Sequence, residues 1–245
     1  MKKYLPASML CALLTVPCVA DAAPQGLIKT NDGYKVTYQY DDKPAPKDWY
    51  FGGKFAANFA SFDETRYVDG EYTGNGDDKQ THSGAMQLGG SIFAGNKISD
   101  NWRIEAEVGY TGKYSDFGKG VEFSLATPYA EFNVNYNTAE EKWGWLYIGG
   151  GVGAAFAHTT ITGDDVFLAG GENGTRVSPL FAAMLGYRAH IADNWFVDVG
   201  YKFMTFQGSD HTRQFIDGSA VVHDFTDKID WVMNHAITLG LAWEF

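Results

Sequence analysis

The sequence predicts an all-β protein, an eight-stranded antiparallel up-and-down transmembrane β-barrel. Three observations carry that prediction. Eight segments alternate apolar and polar residues with a period of two, the mark of strands with two unlike faces. The connections between them alternate short and long. Six of the seven tryptophans stand beside the short connections or the C-terminus.

Taken in chain order, residues 1–22 read as a secretory signal peptide. Lys2 and Lys3 precede an apolar run from Tyr4 to Ala20, and Ala20-Asp21-Ala22 is a small-x-small cleavage site. The run is too short for a membrane anchor and is broken by Pro6 and Pro17. Both cysteines, Cys11 and Cys18, lie in this segment, so the exported chain is expected to carry no disulfide and no catalytic thiol. Losing Lys2, Lys3 and Asp21 takes the formal charge from −11 to −12, which does not suit nucleic acid. Residues 23–47 form a polar extension, expected in the periplasm. Its stretch YKVTYQY (34–40) alternates like a strand but is not counted as a ninth crossing.

The barrel is expected over 48–245. Its clearest segment is WRIEAEVGYTGKY (102–114), where Trp102, Ile104, Ala106, Val108, Tyr110, Gly112 and Tyr114 form one row and Arg103, Glu105, Glu107, Gly109, Thr111 and Lys113 the other. The same alternation places strands at 48–61, 84–96, 125–137, 145–158, 177–191, 195–207 and 234–245. Each exceeds the roughly five to six residues of a typical globular strand and fits a tilted bilayer crossing of about 9–11 residues with its ends. Residues 97–101, 138–144 and 192–194 make short turns, whereas 62–83, 115–124, 159–176 and 208–233 are longer and polar. Short periplasmic turns and long outer loops are the rule for such barrels. An even count then leaves both barrel termini on the periplasmic side.

The two faces differ in kind. One row, including Phe51, Phe55, Leu88, Ile92, Phe132, Val152, Leu185, Val199, Leu239 and Leu241, carries no charge. The other carries Lys54, Arg103, Lys113, Arg188 and Lys202 with Glu105, Glu107, Glu131, Asp198 and Glu244. Five bases against five acids suit a closed interior, because an unpaired buried charge is costly. A soluble sandwich would give that balance no cause. It would also scatter Trp49, Trp102, Trp143, Trp145, Trp195 and Trp243, which a barrel gathers into one periplasmic aromatic girdle. SDNWRIEAEVGY (99–110) and ADNWFVDVGY (192–201) repeat one plan, a turn followed by a rim tryptophan and alternation. Gly149, Gly150, Gly151 and Gly153 thin one strand where interior side chains crowd, and the run lacks the Gly-Lys-Ser/Thr of a phosphate loop.

The chain ends NHAITLGLAWEF, with Thr238, Gly240, Trp243 and Phe245 spaced like the C-terminal assembly signal of bacterial outer-membrane barrels. With the eight-strand plan, and with GYRAHIADNWFVDVGYKF (186–203), residues 48–245 resemble the OmpA-like and opacity-protein class of small surface barrels. The resemblance implies an outer-membrane location, contact with membrane lipid and lipopolysaccharide, and insertion by the barrel-assembly machinery. It further implies envelope structure and adhesion or host interaction through the loops 62–83, 159–176 and 208–233, with no catalytic residues, cofactor or metal.

Three other readings set limits. A small porin is disfavoured because eight strands leave an interior barely filled by side chains. Lipid A deacylases, barrels of similar size, need a lipid-facing His and Ser two apart with a nearby acid; His82-Ser83, His158-Thr159-Thr160 and His235 do not match. Asp210-His211 resembles half of an omptin protease site, which belongs to a larger barrel. These histidines are therefore expected to be rim or loop residues. The acidic loops, NGDDKQ (75–80) among them, invite weak Ca²⁺ binding but are better read as solvated surface.

Overall fold

The computed structural model describes residues 27–30, 33–36, 48–71, 79–118, 121–138, 143–163, 173–216 and 222–245. The signal-peptide segment with its two cysteines, and Asp77 and Asp78 of the NGDDKQ stretch, lie outside these. So do the centres of the connections 62–83, 159–176 and 208–233. Strands β1 (Leu27–Thr30) and β2 (Gly33–Val36) pair antiparallel as a small hairpin. That hairpin belongs to a different unit from the one that begins at Lys47.

The second unit contains β3 (Trp49–Val68), β4 (Lys79–Lys97), β5 (Trp102–Gly118), β6 (Val121–Asn137), β7 (Gly144–Gly163), β8 (Asn173–Ala192), β9 (Trp195–Gln207), β10 (His211–Ile216), β11 (Val222–Ile229) and β12 (Trp231–Glu244). From β3 to β9 each strand pairs antiparallel with the next, β9 pairs with β12, and β12 pairs back onto β3. Eight strands thus close a barrel. Closure is what the bilayer demands, because no water is present in its core to satisfy an open edge. The alternation turns large apolar side chains outward, with Phe55 81% and Leu88 75% exposed, while Glu105, Arg188 and Asp198 are buried.

Two expectations need correction. The segments 62–83, 115–124, 159–176 and 208–233 are not loops along most of their described length. β3 runs on to Val68, β5 to Gly118 and β7 to Gly163. The inward row stays buried beyond the membrane band, at Phe62, Glu64, His82 and Tyr114, so pairing continues where polarity alone suggests a loop. The 208–233 segment is a hairpin, β10 with β11, that extends the β9–β12 pair in the same register: Trp231 faces Gln207 and Asp227 faces His211. β11 then continues along β3, from Ile229 opposite Glu64 to Phe225 opposite Val68.

The second correction concerns Lys113, expected inside and found exposed. Strand β5 carries a bulge against β6, the register shifting between Tyr110 and Lys113. Gly112 sits in it at φ 97°, a left-handed conformation that glycine adopts without strain. One extra residue inverts the alternation, since a single-residue slip moves side chains to the opposite face. Tyr114 turns inward and Lys113 outward.

Candidate functional site: the barrel interior and the outer wall

The interior is built in three layers. Nearest the short turns, Tyr50, Phe93, Trp145, Phe196 and Ala242 form an apolar floor. Nearest the long connections, Phe62, Tyr114, Leu125, Leu180, Met204, Phe206, Ile229 and Val232 form an apolar roof. Between them lies the charged network.

Arg188 on β8 reaches across the barrel. Its guanidinium bonds Glu105 on β5, and its Nε donates to Asp198 on β9 at 2.7 Å. Tyr50 donates to Glu105 at 2.8 Å, and Tyr147 donates to Asp198 at 3.0 Å. Lys54 on β3 donates to Glu107 at 3.0 Å and lies 3.6 Å from Glu105. Lys202 on β9 donates to Glu107 at 2.8 Å and also bonds Glu131. Tyr129 donates to Glu107 at 2.8 Å and Asn133 to Oε1 of Glu131 at 2.9 Å. Most of these charges thus have more than one partner, which is how buried ions are tolerated, although Oε2 of Glu131 makes no hydrogen bond among the described residues.

Arg103 and Glu244 form a separate pair at 3.3 Å near the floor. The nearby carboxylates of Glu105 and Glu131 are taken by Arg188 and Lys202. The Arg103 guanidinium instead lies 4.3 Å from the Trp145 ring. Nine of the ten expected interior charges therefore face inward, four cations against five carboxylates. The glycines of β7 make room for them. A Cβ at Gly149 or Gly151 would overlap the carboxamides of Asn135 or Asn133, and one at Gly153 the backbone of Glu131.

A closed, lipid-clad barrel around a paired ionic core narrows the kind of protein, and a family match decides it: residues 12–245 match the outer membrane protein beta-barrel domain. The chain belongs to that family. Its place is the outer membrane, and its fold is that of a small eight-stranded barrel. Outer membrane protein AlkL is 15% identical, with a TM-score of 0.50, over 86% of this chain and 97% of that one. Neisserial surface protein A is 15% identical (TM-score 0.47; 80% and 97% covered). Ail, the attachment invasion locus protein of Yersinia pestis, is 10% identical (TM-score 0.41; 79% and 99% covered). At such identities the likeness is one of fold. No curated protein matches the chain.

In this outer-membrane barrel Trp49, Trp102, Trp143 and Trp195 are exposed near the short turns, and Trp243 is half-buried against Phe51 and Phe245. Trp145 departs from the expected girdle. It is 1% exposed and packs on Phe196 and Arg103, because its position on β7 has inward parity two residues before Tyr147. Thr238 and Gly240 face inward, Gly240 against the Lys54 stem, while the Phe245 amide donates to the Trp49 carbonyl at 2.9 Å.

The histidines are less peripheral than expected. His82 is buried, 2.9 Å from Glu64 through Nε2, and stacked on Phe62. His235 lies on the lipid-facing wall, 2.6 Å from the Tyr201 hydroxyl. His158 bonds Thr175 at 2.8 Å, and Asp210 lies 3.7 Å from Arg176. Strand parity was the signal available for His82: it shares the inward row of β4 with Gln87, once the positive φ of Gly84 between them is counted.

Proposed function

We propose that the protein is a non-catalytic, non-conducting surface barrel that stiffens the outer membrane and meets other cells or host molecules through its outer wall. The observation that carries this reading is the filled interior. The Arg188–Glu105–Asp198 and Lys202–Glu107–Glu131 clusters lie between an apolar floor and an apolar roof, an occupied interior that favours a barrel closed to water and ions. Support for surface contact comes from strand length. On β3 the lipid-facing aromatics Phe51, Phe55 and Phe59 give way on the same row to Ser61, Asp63 and Thr65, and the strand runs on to Val68, nine residues past Phe59, about 30 Å of chain.

Insertion would run through the assembly machinery, with Thr238, Gly240, Trp243 and Phe245 as the segment it reads. In planar bilayers the reconstituted protein is expected to show no stable channel openings, and steady large conductance would overturn the reading. Replacing 211–229 by a short glycine-serine linker should preserve heat-modifiable gel mobility and reduce attachment of expressing cells to host cells. Unchanged attachment would move the contact to another part of the wall.

A further inference from the structure

A polar pair stands on the lipid-facing side of β9 and β12. Tyr201 Oη lies 2.6 Å from His235 Nδ1, and the Phe203 ring packs 5.2 Å from the imidazole. His235 is exposed, alternating with buried Asn234 and Ala236. Polar atoms in hydrocarbon are costly, so the height of the pair matters.

The strand register gives that height. His235 is opposite Phe203 on one side and Phe59 on the other, and one step farther out Met233 is opposite Thr205 and Ser61. The outward row of the neighbouring strands changes from aromatic to hydroxyl between those steps. Toward the periplasm, eight residues separate His235 from the rim residue Trp243. At about 3.3 Å per residue and a tilt of about 40°, that is roughly 20 Å of height, against an apolar band about 25 Å tall. The pair sits just inside the outer edge of the band, where acyl chains join their headgroups.

Hydrogen-bond capacity then suggests a ligand. A neutral imidazole has one donor and one acceptor nitrogen. In the tautomer in which the Tyr201 hydroxyl donates to Nδ1, Nε2 carries the hydrogen, and among the described residues it has no protein partner. An N–H donor flanked by Phe203 and Phe59 complements an oxygen acceptor attached to acyl chains. On the side of the long connections, that leaflet is lipopolysaccharide.

We propose that Tyr201 and His235 form a binding point for lipid A, His235 donating through Nε2 to an acyl-linkage or phosphate oxygen while the neighbouring aromatic rings contact its chains. The proposal rests on the barrel's orientation but not on the adhesion reading. To test it, the refolded full-length protein in detergent is titrated with lipid A and, separately, with phosphatidylethanolamine, and bound lipid is counted by native mass spectrometry. One lipid A should be retained in preference to the phospholipid. Retention should weaken about tenfold in His235→Phe and in Tyr201→Phe, both lipid-facing changes that should leave heat-modifiable mobility intact. Equal retention by the folded variants, equal retention of the phospholipid, or retention of neither lipid by the parent would each overturn the proposal.

Discussion

Arg188 shows at the scale of one residue why the interior is all or nothing. Fully buried, it holds Glu105 with one arm and Asp198 with another, and it stacks 4.8 Å from the Tyr147 ring. Arg188→Met would keep much of the volume and strand two carboxylates. Removing one partner of a buried ion pair costs about 3–5 kcal/mol, so urea unfolding in lipid vesicles should show a loss of that order. Outside the membrane, hydrogen bonds tie the start of β11 to the turn after β3: His223 lies 2.7 Å from Asp69, the Asp224 amide donates to the Asp69 carboxylate at 2.9 Å, and the Asp69 amide donates to the Asp224 carbonyl at 2.8 Å. The His223 hydrogen bond, with help from the Asp224 amide, lowers the Asp69 carboxyl below its ordinary value. A depressed acid stabilises the folded contact above its unfolded pKa and loses that contribution as pH falls through the folded value. The contact is therefore expected to survive mild acidification and to loosen below the ordinary Asp range, followed by exchange broadening of the Asp224 amide.

At the scale of an element, β5 joins two alternations of opposite parity. The bulge at Gly112 allows Glu105 and Glu107 to face the ionic core and Tyr114 to face the roof. Gly112→Val would force a β-branched residue to φ 97°, a strain of about 1–3 kcal/mol, and should lower the urea midpoint. On the opposite face of the same strand, Val108→Arg would place a cation against lipid, costing about 2–4 kcal/mol near the midplane. A Val108→Arg barrel with the parent's heat-modifiable mobility and urea midpoint would contradict the outward assignment. β7 and β6 show the complementary device, in which inward glycines yield space to the side chains opposite. That is why the Gly149–Gly153 run is a packing feature.

The whole molecule is a soluble protein turned inside out, because its solvent is hydrocarbon and its ions must find each other. The two cysteines both lie in the first 22 residues, so single cysteines placed on the barrel report its faces cleanly once that segment is removed. Val108→Cys should react with a lipid-soluble maleimide, and Thr238→Cys, on the buried row, should not; the reverse pattern would invert the barrel. The outer wall extends beyond the lipid band by strand pairing, so its described part is a strand-paired collar. This follows from the shared register of β9–β12 and β10–β11.

Strand number, the orientation of most strands and the lipid-facing row were legible in the sequence, because a two-residue period bordered by bilayer is a local pattern that needs no knowledge of partners. So were nine of the interior charges. The partners of those charges were not legible: Arg103 meets Glu244 and Trp145, while Arg188 bridges Glu105 and Asp198, across separations that closure alone brings together. Lys113 escaped because a bulge depends on the register with β6; Trp145 shares its place beside a short turn with the girdle tryptophans, and only its parity, opposite to that of Leu146 and Ile148, sets it inward. The outer hairpin escaped because polar residues pair as readily as apolar ones once a neighbouring edge is present. Composition and period chose the architecture, and the meeting of distant strands chose the contacts, since a Coulomb or hydrogen-bond energy depends on where two groups come to lie in space.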